Sequence, residues 1–127
     1  MSVSPHEIWE HALSLPSSTE SEKRAKISRA YYALYSHALA FHNNLPSAGN
    51  ELRGDVGLHK RLNQKLTNPT VADEAAKSLS RQLGTKQGLA HEIRVKADYK
   101  LDEHVSDSDV TKCLSYVRKG LELGGTA

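Results

Sequence analysis

Residues 30–41 read AYYALYSHALAF, a run without one formal charge. It lies inside a longer stretch in which Ile27, Ala30, Tyr31, Leu34, Ala38 and Phe41 recur at helical spacing. Even the side away from that stripe offers only Ala33, Ser36, His37 and Ala40. A helix this poor in charge is covered on more than one face. It is therefore either the central helix of a bundle or the floor of a subunit contact. Thr19-Glu-Ser-Glu22 supplies its capping box, and the spacing carries the helix to about Asn43.

The other elements arrange themselves around this one. Prolines stand at 5, 16, 46 and 69 with long proline-free stretches between them, and a proline inside a helix costs about 3 kcal/mol, so they punctuate helices. Ser4-Pro5-His6-Glu7 predicts a first helix over about residues 5–15, with Ile8, Trp9, Ala12 and Leu13 as its stripe. Residues 44–57 hold Pro46, Ser47, Gly49, Asn50, Gly54 and Gly57 and read as a long loop. A short third helix over about residues 58–66 ends at Thr67-Asn-Pro69. Thr70, with Asp73 three residues on, is expected to cap a fourth helix whose buried line is Leu79, Leu83, Ala90, Ile93 and Ala97. Gly84 and Gly88 lie inside it and cost about 1 kcal/mol each in propensity, so either close packing compensates or the helix kinks there. Ser106-Asp-Ser-Asp109 caps a fifth helix with Val110, Cys113, Leu114, Val117 and Leu121 on one face, ending at Gly124-Gly125. No segment alternates as a strand does. The expectation is an all-α, up-and-down bundle of four main helices and one short one, forming one domain over residues 1–127.

Composition narrows the function classes. The 127 residues allow one domain burying roughly two thirds of its unfolded surface. Seventeen Lys and Arg against 15 Asp and Glu give a net charge of +2 with no polybasic tract, so tight nonspecific DNA binding is not written in the charge balance. The single cysteine excludes an internal disulfide framework, and the Met1-Ser-Val-Ser start lacks a basic segment with an apolar core; together these point to a cytoplasmic protein with no membrane association. Neither GxxxxGK nor GxGxxG occurs, which leaves ATP hydrolysis and dinucleotide chemistry without support, and no cofactor is expected. The histidine pairs His6 with His11 and His37 with His42 are five apart, on nearly opposite helix faces, so no metal site is expected. Cys113 falls on the apolar line of the last helix and reads as a buried structural thiol.

The segment Ile27-Ser-Arg-Ala-Tyr-Tyr-Ala-Leu-Tyr-Ser-His37 resembles the "ISRAYYA" helix of the HEPN superfamily, small helical proteins of bacteria and archaea. Arg94-Val-Lys-Ala-Asp-Tyr99 is similar to the "R..ADY" segment of one branch of that superfamily. Order and separation fit as well, so the resemblance spans most of the chain. It implies an up-and-down bundle that commonly forms a homodimer. It also implies either a metal-independent RNA-cleaving toxin or defence nuclease, or an inactive partner of a small nucleotidyltransferase. The nuclease branch carries an arginine, four to six residues and a histidine beside a late helix. Here Arg94 and His104, like Arg81 and His91, stand ten apart. The only formal match is Arg53 with His59 in the predicted loop region, and seven arginines with seven histidines yield about one such match by chance.

A helical wheel puts Lys26, Arg29, Ala33, His37 and Ala40 on one strip of the second helix, and Gly84, Gln87, His91, Arg94 and Asp98 beside the buried line of the fourth. If both strips face one groove, Arg29 and Arg94 hold a phosphate while His37 or His91 exchanges a proton with a ribose hydroxyl; Arg53 with His59 is the alternative pair. Lys26, Tyr32, Gln87 and Asp98 are the expected ligand-binding residues. The same residues also have structural uses: Arg94 and Asp98 are four apart and can pair with each other, and Arg29 can meet a carboxylate across the bundle. Tyr31 belongs to the core stripe, Tyr32 points away from it, and Tyr99 is expected to anchor the turn into the last helix. Two functional readings follow: a protein binding RNA or a nucleotide-bearing ligand and cleaving RNA without metal, or a non-catalytic module partnering an antitoxin or a small nucleotidyltransferase. A third is that the dimer itself is the product and the groove is packed core, with Gly84 and Gly88 serving close helix contact.

Overall fold

The computed structural model describes residues 3–124, and among these the chain is all-helical: α1 (Pro5–Ser14), α2 (Glu20–Asn43), α3 (Leu58–Thr67), α4 (Glu74–Tyr99) and α5 (Asp107–Glu122). Three of the expected capping boxes form, each with its hydroxyl accepting from the third backbone N–H and its carboxylate reaching back: Ser4 with Glu7, Thr19 with Glu22, Ser106 with Asp109. Helix α2 is the centre of the bundle, packed against α1, α4 and α5 and touching α3. Its stripe residues Ile27, Ala30, Tyr31, Leu34 and Ala38 are buried, and so is Ala33 on the lateral strip, because α1 and α5 cover that side. One apolar cluster runs from Ala12 through α2 to Leu83, Ala90, Val117 and Leu121.

The fourth helix departs from its sequence reading at its start. Asp73, not Thr70, is the cap: its carboxylate accepts from Ala76 N at 3.0 Å. Thr70 is instead held by the preceding loop, donating to Ala48 O at 2.9 Å beside the Ser47 hydroxyl. From Asp73 the helix runs unbroken through both glycines. Close packing replaces the kink, since a Cβ at Gly84 would press on Thr67 and Leu66 and one at Gly88 on the Asn63 amide of α3. At the other end Arg24 of α2 caps α4, donating to the carbonyls of Lys96 at 3.1 Å and Ala97 at 2.9 Å, with Glu103 O also in contact.

The loop of residues 44–57 has no helix of its own and is tied to α2 and α3. Gly49 N donates to buried His42 Nε2 at 3.0 Å, and Gln64 Oε1 accepts from Leu52 N and Arg53 N. Gly49 lies so close to the Lys65 carbonyl that a Cβ there would overlap it. This anchoring fixes where α3 begins, and with it His59. The α5 helix ends in a turn at Gly124, whose φ of +60° is the left-handed region that favours glycine. Gly125 lies outside the described residues. No described helix is long and apolar enough to cross a membrane.

Candidate functional site

A cavity of about 800 Å³ opens between α2, the start of α3 and the end of α4, lined by Arg29, Tyr31, Tyr32, Tyr35, His59 and Arg94 among others. The register of α2 places Tyr31 inward and Ser28, Arg29, Tyr32 and Tyr35 around the opening, while α4 contributes Arg94 and Asp98 from its last two turns. The His59 ring stands between this cavity and a smaller chamber of about 350 Å³ lined by Lys60 and His91.

Arg94 is the best-held cation here. Its Nε donates to Asp98 Oδ2 at 2.7 Å, and Ser28 Oγ donates to the same oxygen at 3.0 Å. The guanidinium carbon lies 5.7 Å from the Tyr31 ring centroid and 5.3 Å from that of Tyr99, so two aromatic faces flank it. With Nε engaged, the two terminal amines are the groups it can offer an anion. Arg29 reaches the cavity from the other side, with its Nε donating to His11 Nδ1 at 3.3 Å and its guanidinium carbon 5.9 Å from the Tyr32 ring.

Beneath the cavity lies a polar core. The Tyr31 hydroxyl, Gln87 and His59 are joined: Tyr31 Oη to His59 Nδ1 is 2.7 Å, and Gln87 Nε2 donates to Tyr31 Oη at 3.0 Å and to His59 O at 3.3 Å. Asn63 Nδ2 donates to Gln87 Oε1 at 2.9 Å and to Gly84 O at 2.7 Å. The His59 and His91 rings stack at 5.1 Å and 11°, and Tyr35 lies 4.4 Å from His59. Burial, and then the neighbouring Arg94, push the His59 pKa down; burial, with the His59, Arg94 and Lys60 charges, brings His91 down to about 4. Both imidazoles are therefore neutral at pH 7. Burial raises the Tyr31 phenol above its ordinary value, which keeps the hydroxyl protonated.

Of the residues singled out from sequence, Arg29, Arg94, Tyr32 and Asp98 line the cavity, His59 borders it, His91 lies in the adjoining chamber, and Gln87 is fully buried beneath, holding Tyr31. Others are elsewhere. His37 meets Leu123 O at 2.8 Å at the end of α5, because the C-terminal part of its strip faces α5 rather than α4. Lys26 donates to Leu13 O and Leu15 O, closing the C-terminus of α1. Arg53 is exposed and pairs with Asp55 at 2.9 Å, outside the cavity; the arginines that share the cavity lining with His59 are Arg29 and Arg94. Tyr99 does not anchor the following turn: it is the last residue of α4, exposed, with its ring toward Arg94. Cys113 is buried and its thiol is pushed up to about 12 by burial. No three His, Cys, Asp or Glu side chains among the described residues converge as metal ligands.

Sequence reasoning missed Ser28, Asn63 and the Tyr31 hydroxyl. One signal was available: Gln87 falls between Leu83 and Ala90 on the inward face of α4, and a polar side chain there needs partners. No family model, no curated protein and no solved structure matches the chain.

Proposed function

We propose that this is a HEPN-like protein that binds RNA, or a ligand carrying a nucleotide phosphate, in the cavity between α2, α3 and α4, and cleaves RNA there without a metal as part of a toxin–antitoxin or defence system. The observation that carries this reading is the approach of Arg29 and Arg94 to one cavity from two helices, with the His59 imidazole in its lining and His91 stacked on His59 in the adjoining chamber. Phosphodiester cleavage through a ribose 2′-hydroxyl needs cations for the charge growing on phosphorus and a neutral imidazole to move a proton. Tyr32 and Tyr35 offer faces on which bases stack. The Asp98 carboxylate, which would repel a phosphate, is occupied by Arg94 and Ser28.

A second reading is a non-catalytic module that binds a protein, an antitoxin or a small nucleotidyltransferase. The exposure of Tyr32, Leu58 and Tyr99 around the same opening favours it, since aromatic and apolar side chains left in solvent are what an interface uses. Incubation of the purified protein with total RNA in excess chelator separates the two. Cleavage that survives the chelator and falls by a factor of about 100 in Arg94→Ala, with helical circular dichroism unchanged, is the expected result. Intact RNA overturns the ribonuclease, and RNA that is neither cut nor retained by the protein leaves the protein-binding module.

A further inference from the structure

The hydrogen bonds beneath the cavity have only one consistent set of proton positions, and these decide what His59 can do. Gly84 O and His59 O are carbonyls and can only accept. Asn63 must therefore turn its NH₂ toward Gly84 O, at 2.7 Å, and its second hydrogen then goes to Gln87 Oε1 at 2.9 Å. A flipped Gln87 would set its NH₂ against the Asn63 NH₂ and its oxygen against the His59 carbonyl. Gln87 is thus fixed with Nε2 donating to His59 O and to the Tyr31 oxygen. Tyr31 and Gln87 are both buried, at 1% and 0% exposure, so no solvent offers another partner. The Tyr31 hydroxyl hydrogen then has one acceptor, His59 Nδ1 at 2.7 Å. The opposite assignment, with Nδ1–H donating to Tyr31, would load two donors on that oxygen and leave its own hydrogen buried and unpaired.

We propose that Asn63 and Gln87 are positioning residues that lock the neutral His59 as its Nε2–H tautomer, so that His59 is a fixed hydrogen-bond donor for an anionic phosphoryl oxygen and not the base of the site. Nε2 has no partner among the described residues, on a ring that lines both the cavity and the adjoining chamber. As a base the ring would have to accept through Nδ1, which the Tyr31 hydroxyl already occupies; taking that proton outright would leave a buried tyrosinate. The other imidazole, His91, lies in the adjoining chamber with no hydrogen-bond partner among the described residues. The cavity then presents donors to its ligand: the Arg29 and Arg94 guanidiniums and His59 Nε2–H. This assignment of roles rests on the phosphate reading above, whereas the proton lock rests on the hydrogen bonds alone.

Long-range ¹⁵N–¹H spectra of histidine-labelled protein, taken where His59 is neutral, read the tautomer directly. The wild-type ring shows Nε2–H. In Gln87→Glu the carboxylate draws the Tyr31 hydrogen to itself, the Tyr31 oxygen becomes an acceptor, and His59 switches to Nδ1–H. A wild-type Nδ1–H, or an unswitched ring in folded Gln87→Glu, overturns the lock. Should Gln87→Glu not fold, Tyr31→Phe gives the second arm. Without the hydroxyl the neutral ring loses its Nδ1 partner and His59 titrates at higher pH, and an unchanged His59 titration overturns the lock. Inorganic phosphate is expected to move the His59 Nε2–H signal. No response to phosphate with the Nε2–H tautomer intact overturns the donor role and the phosphate reading while leaving the lock in place.

Discussion

Helix α2 separates two interiors of opposite character. Toward α5 it is dry: Leu34 packs so tightly on Gly120 that a Cβ there would overlap its methyl, and Ile27 lies beside Cys113. Toward α4 and α3 the same helix sends Tyr31 into a network of Gln87, Asn63 and His59, with Ser80 Oγ donating to Leu66 O nearby. The dry side needs only residues of the right size at the right spacing, and it tolerates any arrangement that fills the space. The polar side has to match every donor to an acceptor, because an unmatched buried group costs about 1–3 kcal/mol. Its elements are correspondingly specific, and it is on this side that the cavity lies.

The largest effect is expected on the dry side. Leu34→Ala should lower stability by about 3 kcal/mol through the cavity it leaves, read as a fall in the midpoint of urea unfolding. Gly120→Ala alone should cost about 1–2 kcal/mol by overpacking against Leu34. Combined, the new methyl enters the space that Leu34 vacated, so the double variant should lose clearly less than the two single losses together. Additive losses would mean that the two positions do not share one tightly packed contact, and would remove the basis for calling this side closed by fit.

The contrast also marks how far the sequence could be read. The dry side follows from periodicity and capping: the buried stripe of α2, the three capping boxes and the face of α5 all stand where spacing puts them. The start of α4 does not, because Thr70 and Asp73 are both acceptable caps and a tertiary contact with Ala48 decides between them. For the site, spacing brought Arg29, Arg94, Tyr32 and Asp98 to one cavity from two helices, but a wheel fixes direction only within one helix. It could not show that the lateral strip of α2 is divided between neighbours, with His37 going to α5 and Arg29 reaching both α1 and the cavity. The position of His59 depends on a loop held by His42, Gly49 and Gln64, contacts that no local pattern announces.

On the polar side the next largest effect is expected from Gln87→Leu. The side chain keeps much of its volume but leaves Asn63 and the His59 carbonyl short of a partner, a loss of about 2 kcal/mol. Adding Tyr31→Phe removes a hydroxyl that Gln87 no longer matches, so the second substitution should cost less in the Gln87→Leu background than in the wild type. Equal costs in both backgrounds would show that the two groups are satisfied independently, and the polar interior would then be no more specific than the dry one.

The smallest effect separates the two sides by pH. An unfolded histidine takes up its proton near 6.5, whereas burial and the His59, Arg94 and Lys60 charges hold His91 neutral down to about 4. Between these values the unfolded chain binds more protons than the folded one, so the contribution is complete above about 6.5, declines as pH falls through the window and is gone below about 4. His59 acts in the same direction, through burial and Arg94, and His42 near the end of α2 does so through burial and Lys65. The carboxylates held low by their partners, Glu20 by Arg24 and Glu22 by the Thr19 backbone, lose their contribution only as pH falls below their ordinary 4.5. The His91 side chain is only partly buried, so screening reduces its share to about 1 kcal/mol. Urea unfolding at about pH 7 and about pH 5 should show this loss, and His91→Gln should reduce the difference while Leu34→Ala leaves it unchanged. On the dry side the Cys113 thiol is pushed up to about 12 by burial, far above this window. A pH dependence that survives His91→Gln intact would place the acid-sensitive contact at His59 or at His42 instead of His91.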